Sequence, residues 1–110
     1  MKLSDYQKKA QRTAIYPPLG GQGWVYPALG LVGESGEIAN KLKKIIRDKE
    51  GHLSAEDKQI IKDELGDVLW YVAELARQLE LDLDEIGAQN IAKLASRQSR
   101  GKLTGSGDNR

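Results

Sequence analysis

The stretches GESGEI (Gly33–Ile38) and DELGDV (Asp63–Val68) each place two carboxylates three residues apart around a glycine, and they stand thirty residues apart in the chain. Acids at i and i+3 share one face of a helix, so Glu34 with Glu37, and Glu64 with Asp67, form pairs if these segments are helical. Counting about 100° per residue from Leu31, the apolar Ile38, Leu42 and Ile45 stay within about 40° of it, while Glu34 and Glu37 fall at about 300° and 240°. Counted from Ile61, Glu64 and Asp67 land at the same two angles. The match extends through Gly36/Gly66, Ile38/Val68, Leu42/Val72 and Ile45/Leu75, so one helical device is used twice. If the two apolar stripes pack together, the bordering acids meet at one edge of the seam. Two carboxylates about 5 Å apart repel by roughly 3 kcal/mol at an effective dielectric near 20. Four partly buried ones therefore stay ionised together only with cations among them. Oxygen-only donors select a hard ion, and Mg²⁺ fits best, with Mn²⁺ as the alternative.

A second reading stands beside this one. Glu37 can pair with Lys41 at i,i+4, and acids flanking an apolar stripe are what a solvated helix edge displays. The chain would then be a non-catalytic helical oligomerisation or regulatory module. A di-iron carboxylate bundle is disfavoured, because it needs E-x-x-H and no histidine follows either acid pair at that spacing. Gly36 and Gly66 lie about 140° from the stripe, where each costs roughly 1 kcal/mol against Ala, so their bare backbone points to close approach by another helix, as from a second subunit.

The elements that must carry these residues are helical. Ser4 with Gln7 reads as a capping box opening a first helix from about Asp5 until Pro17-Pro18 stops it. PPLGGQGWVY (Pro17–Tyr26) reads as a structured loop, and Pro27 suits the first turn of a second helix that runs to about Lys49. After a turn at Gly51-His52, Ser54 with Asp57 caps a third helix with an apolar stripe at Ile61, Leu65, Val68, Val72, Leu75 and Leu79. Asp82 or Asp84 caps a fourth, reaching about Ser99. With no strand alternation, the fold class is all-α: a four-helix bundle with mostly antiparallel neighbours, one domain over residues 1–100, and a polar Gly/Ser-rich tail (101–110) expected to be extended or partly disordered.

Composition narrows the partners. The chain has 110 residues, 39% apolar and 30% charged, with two Trp, four Tyr and no Phe, so its core is mostly aliphatic and oligomerisation is expected to add to it, as a homodimer or homotetramer. A net charge of +1 makes no case for nucleic acid, and no apolar run approaches the ~18 residues of a membrane span. The opening MKLSDYQKK has no apolar h-region, so a cytoplasmic protein is expected. With no Cys, disulfides, thiolate catalysis and cysteine zinc sites are excluded together.

LGLVGESGEIANKLKK, KDELGDVLWYVAELA and NIAKLASRQSRG resemble the MazG-like nucleotide pyrophosphohydrolases, an all-α superfamily marked by E-x-x-E and a later E-x-x-D. The resemblance runs from about Tyr6 to the tail. It implies a MazG-type fold that hydrolyses a nucleoside triphosphate to the monophosphate and pyrophosphate, sanitising or trimming a nucleotide pool. It also implies that Glu34, Glu37, Glu64 and Asp67 hold Mg²⁺. Many members have a further acid adjoining the first pair, which can orient the attacking water; this chain has Ser35 there.

Other groups can serve such a site. Ile86, Asn90, Lys93 and Arg97 follow at i, i+4, i+7 and i+11, so an amide and two cations share a face of the fourth helix. By spacing alone they either hold phosphates or snorkel over a partly buried flank. The resemblance adds an N-x-x-K-like element that contacts substrate, which favours Asn90 and Lys93, with Arg97 and Arg100 behind them. It also favours Tyr71, one turn beyond Asp67, as a nucleotide contact. Trp70 falls about 180° from the stripe and reads as a subunit contact. Trp24 can stack on a base or anchor the core. The basic cluster Lys41, Lys43, Lys44 and Arg47 wraps around its helix and reads as solvation, and His52 as an exposed turn residue.

Overall fold

In the computed structural model, which describes residues Met1–Arg110, four helices form the regular structure: α1 (Leu3–Ala10), α2 (Val25–Lys49), α3 (Ala55–Gln78) and α4 (Leu83–Ser99), with short 3-10 turns at Gln11–Thr13 and Leu19–Gly21. There is no strand, and no helix is long and apolar enough to cross a membrane. Local chemistry sets most of the ends. Ser54 Oγ accepts from the Asp57 amide at 3.0 Å while Asp57 Oδ2 accepts from the Ser54 amide at 3.0 Å, a reciprocal cap that starts α3. Asp82 Oδ1 caps α4 by accepting from the Glu85 amide at 3.1 Å. Pro27 sits buried in the first turn of α2, and Gly51, at φ 80, closes its other end by donating to the Ile45 carbonyl.

The first helix departs from expectation. It starts at Leu3, where the Lys2 amide donates to Asp5 Oδ2, and the Ser4–Gln7 box does not form. Tertiary partners take both groups: the Ser4 amide donates to Asp84 Oδ1 at 3.2 Å, and Gln7 donates to the Leu81 carbonyl while accepting from the Leu83 amide. α1 also ends well before Pro17.

α2 and α3 run antiparallel along their length. Lys49 meets Asp57 near the turn, Lys41 meets Glu64 midway, and Gly30 meets Tyr71 towards the far end. The Lys49 ammonium donates to both Asp57 oxygens, at 3.0 and 2.8 Å, and together with the Ser54 hydrogen bonds it holds the Asp57 carboxyl down to about 2. A carboxyl depressed below its ordinary 3.8 adds stability that is complete above about pH 4 and disappears as pH falls through about 2. Asp57→Asn should therefore lower Tm by several degrees at pH 7, and the gap to the parent should close by pH 2; thermal melts across that range check this, and a gap independent of pH would contradict it.

α1 crosses α3, burying Ala10 against Ala73, with Tyr6, Trp70 and Val72 around them. Trp70 is not left facing outward: its Nε1 donates to the Ala10 carbonyl at 3.1 Å and to Thr13 Oγ1 at 2.9 Å, so it clamps the end of α1 onto α3. α4 hangs from the same cluster by Leu83, with Leu3 against Gly87, and makes little contact with α2 or α3. The four helices thus do not close into a bundle within one chain. Only 8 of 110 residues are buried, and 7976 Å² of surface is exposed where a compact 12.1 kDa chain shows about 6000 Å². The radius of gyration, 16.9 Å, likewise exceeds the ~13 Å expected. Leu29, Val32, Ile46 and Ile91 lie largely in solvent.

The tail folds back rather than extending. The Arg110 guanidinium donates to the carbonyls of Lys102, Leu103 and Gly107, and Arg97 Nη2 donates to the Asp108 carbonyl at 2.6 Å.

Candidate functional site

Three of the four motif acids converge across the α2–α3 seam. Carboxylate oxygens of Glu34, Glu64 and Asp67 lie within 4.8 Å of one another, Glu34 and Glu64 half-buried and Asp67 exposed. Glu37, one turn along α2, is exposed and stands outside this set, although its charge still raises the Glu34 pKa. Ser35 donates its hydroxyl to the Leu31 carbonyl at 2.7 Å, so it is engaged with its own helix.

The electrostatics are those of an acid cluster short of cations. Glu34 is held above the usual carboxylate range, chiefly by the Glu64 carboxylate that faces it, then by burial and by the charges of Asp67 and Glu37. Glu64 is pulled below that range, first by Lys41 and then by Glu34. The Lys41 ammonium donates to Glu64 Oε1 at 2.6 Å. Glu64 Oε2 is buried and has no hydrogen-bond partner, and it is the sole buried side-chain N or O atom so left. A buried carboxylate oxygen without a donor is costly unless a proton or a cation reaches it. An all-oxygen donor set with one oxygen unpartnered fits a hard divalent cation, with Glu34, Glu64 and Asp67 as the residues that would hold it.

Beside the acids lies an aromatic cleft of about 330 Å³, lined by Thr13, Ile15, Tyr16, Tyr26, Trp70 and Tyr71. Tyr16 stacks on Tyr26 at 5.0 Å, and Tyr71 meets Trp70 edge-on at 5.1 Å. Tyr71 has its pKa raised by burial first, then by Tyr26, and it feels Glu34 and Asp67, which places it between cleft and acids. It reaches that position because Gly30 leaves the α2 backbone bare: a Cβ there would overlap the Tyr71 ring. Gly36 and Gly66 have nothing within 4 Å of where a Cβ would stand, so the close approach expected of them is not made inside one chain. Gly30→Ala should cost about 1–3 kcal/mol in overpacking, offset by about 1 kcal/mol of helix propensity, and should displace Tyr71. Tm should fall by a few degrees; a variant as stable as the parent, with unchanged near-ultraviolet dichroism, would contradict this.

The remaining residues singled out in the sequence are not gathered with the acids. Asn90 and Lys93 line a separate shallow groove on α4 with Ile86 and Gln89. Arg97 is buried against the tail. Trp24, 43% exposed, stands at the start of α2 outside the aromatic cleft. His52 is exposed, with its Nδ1 2.9 Å from the Lys49 carbonyl.

Two features escaped the sequence. Lys41 reaches across the seam instead of pairing with Glu37 on its own helix. Glu74, fully buried, accepts from Tyr16 and Arg77 and ties the loop before α2 to α3. On the wheel Glu74 falls at about 220° from Ile61, which reads as a solvated position; the only local signal is Arg77 at i+3.

A family model described as the MazG nucleotide pyrophosphohydrolase domain matches residues 27–101. The "Gene 37 protein" of Mycobacterium phage L5 is 51% identical over 114 residues, covering 100% of both chains. No solved structure matches the chain. The matched region takes in both acid pairs, Tyr71 and α4, and on that match the chain belongs to the MazG nucleotide pyrophosphohydrolase domain family.

Proposed function

We propose that the protein is a Mg²⁺-dependent nucleoside triphosphate pyrophosphohydrolase, converting a (d)NTP and water to the monophosphate and pyrophosphate. The observation that carries this reading is the convergence of Glu34, Glu64 and Asp67 on one point with Glu64 Oε2 unpartnered. Glu37, one turn from Glu34, completes the donor set. Bound there, Mg²⁺ supplies charge neutralisation for phosphate oxygens and lowers the pKa of water. The chain's own part is placement: α2 and α3 hold the acids from both sides of the seam, and Tyr71 spans from them to a cleft whose stacked rings suit a nucleobase. Asn90 and Lys93 are assigned to substrate on the family resemblance, Arg97 on the helix face it shares with them, and Trp24 on its place at the end of the loop before α2.

The chain works as a homo-oligomer, dimer or tetramer. Its excess surface of about 2000 Å² over a compact chain exceeds the ~800 Å² per partner of a standard interface, and the exposed Leu29, Val32, Ile46, Leu65 and Ile91 are apolar. A second copy also gives Gly36 and Gly66 the close approach they lack within the chain.

Incubation with a panel of nucleoside triphosphates and Mg²⁺, scored for pyrophosphate against orthophosphate, tests the activity. Monophosphate and pyrophosphate from at least one nucleotide, abolished by chelation, is the expected result. No turnover of any of them, with Tm indifferent to Mg²⁺, would favour the non-catalytic helical module instead.

A further inference from the structure

We infer that Lys41 is a phosphate-binding residue of the acid site, docked on Glu64 while no substrate is present. The inference rests on the pyrophosphohydrolase reading and adds to it a residue that the acid motifs do not contain. On its own helix Lys41 has a near partner, Glu37 at i−4, and sequence alone favours that pair. It crosses to α3 instead and donates to Glu64 Oε1 at 2.6 Å, a charge-assisted bond of the short, strong kind. Its side chain keeps 35% of its surface while that of Glu64 keeps 15%, so the ammonium approaches from the open side of the seam. A four-carbon stem anchored there can swing without disturbing the helix.

Charge balance gives the swing a purpose. Four motif acids and a triphosphate together carry far more negative charge than divalent cations alone neutralise. Among the groups acting on Glu34 and Glu64, Lys41 is the one cation of this chain, since Asn90 and Lys93 lie in a separate groove on α4 and Arg97 is engaged with the tail. With a divalent cation held by Glu64, the Lys41 ammonium would be free of that carboxylate and available to phosphate oxygens, a role that a compact point charge on a flexible stem suits. The competing account is a surface ion pair that merely ties α2 to α3, worth little in itself.

The two accounts predict different pairs of affinities. Titration calorimetry of the full chain with Mn²⁺ alone, and then with a nucleoside triphosphate in Ca²⁺, would compare the parent with Lys41→Met and Lys41→Arg at one pH. For Lys41→Met, Mn²⁺ binding should be maintained or tightened, because a competing cation is gone, while nucleotide affinity falls tenfold or more; Lys41→Arg should recover most of that loss. A nucleotide loss below tenfold, or a Mn²⁺ affinity that falls more than threefold alongside it, overturns the assignment. Should Lys41→Met fail to melt cooperatively, Lys41→Gln takes its place under the same criteria. A parent chain that binds no Mn²⁺, or binds it as well after Glu64→Gln, defeats the pyrophosphohydrolase reading itself, whereas a parent that binds both ligands with Lys41 indifferent defeats only this inference.

Discussion

Glu64→Gln is expected to reduce kcat on the order of 10³-fold or more, since losing about 4 kcal/mol of metal-borne charge stabilisation corresponds to three decades in rate. It should do so without unfolding the protein. Glu64 is the one motif acid with a buried oxygen left without a partner: Lys41 takes Oε1 and nothing donates to Oε2. The amide keeps the shape of the side chain, removes its charge, and brings an N–H₂ that can donate to Glu34, relieving the carboxylate contact that holds Glu34 above its ordinary range. The lost pair with a partly exposed lysine costs little. The metal-free variant should therefore melt within a few degrees of the parent, or slightly above it. The separation appears when metal is added. An ion present at a hundredfold over its Kd stabilises the parent by about 2.7 kcal/mol, and Glu64→Gln should lose most of that gain. Activity within tenfold of the parent, or an unchanged Mg²⁺-dependent shift in Tm, would remove Glu64 from the site.

The meeting of Glu34 and Glu64 was legible because helical phase is a strong constraint. Glu34 and Glu64 share one angle beside their stripes, and both come to the seam half-buried; Glu37 and Asp67, about 60° further round by the same count, stay exposed, and of these two Asp67 reaches the cluster. The caps at Ser54 and Asp82 were legible for a similar reason, since each is satisfied within four residues. What the sequence concealed were partners distant along the chain. Ser4 looks like a cap, but its amide is taken by Asp84, 80 residues away. Trp70 does lie opposite the α2-facing stripe, yet it is not left facing outward, because α1 and the turn after it pack on that side. Lys41 has a local partner on paper and a better one across the seam. The closed bundle was expected from helix count and short connections, and neither of those says whether one chain supplies enough apolar area to surround its own helices.

Glu74→Ala should destabilise the protein by about 3 kcal/mol, the largest stability change expected of any single substitution here. Its side chain is fully buried, with Oε1 accepting from the Tyr16 hydroxyl at 2.8 Å and from Arg77 Nη2 at 2.7 Å, and Oε2 accepting from Arg77 Nε at 3.0 Å. The Tyr16 oxygen in turn accepts from Gln78 Nε2 at 2.9 Å, packed where Gly23 leaves room for the Gln78 amide. One carboxylate thus fixes the loop before α2 against α3, and with it the Tyr16–Tyr26 stack that walls the aromatic cleft. Alanine leaves a void, an unpaired guanidinium and a hydroxyl without its acceptor. The loss falls at the lower end of the ~3–5 kcal/mol range for a broken buried pair, because Arg77 keeps 29% of its surface and water can partly replace the acid. Tyr16→Phe removes the hydrogen bond to Glu74 and the one accepted from Gln78 and should cost about 2 kcal/mol. Urea denaturation orders the two. The cleft should loosen in both, raising KM for nucleotide more than it lowers kcat, since the acids on the α2–α3 seam are untouched. A Glu74→Ala protein within 1 kcal/mol of the parent, with its aromatic dichroism intact, would mean that the stack stands without the carboxylate beneath it.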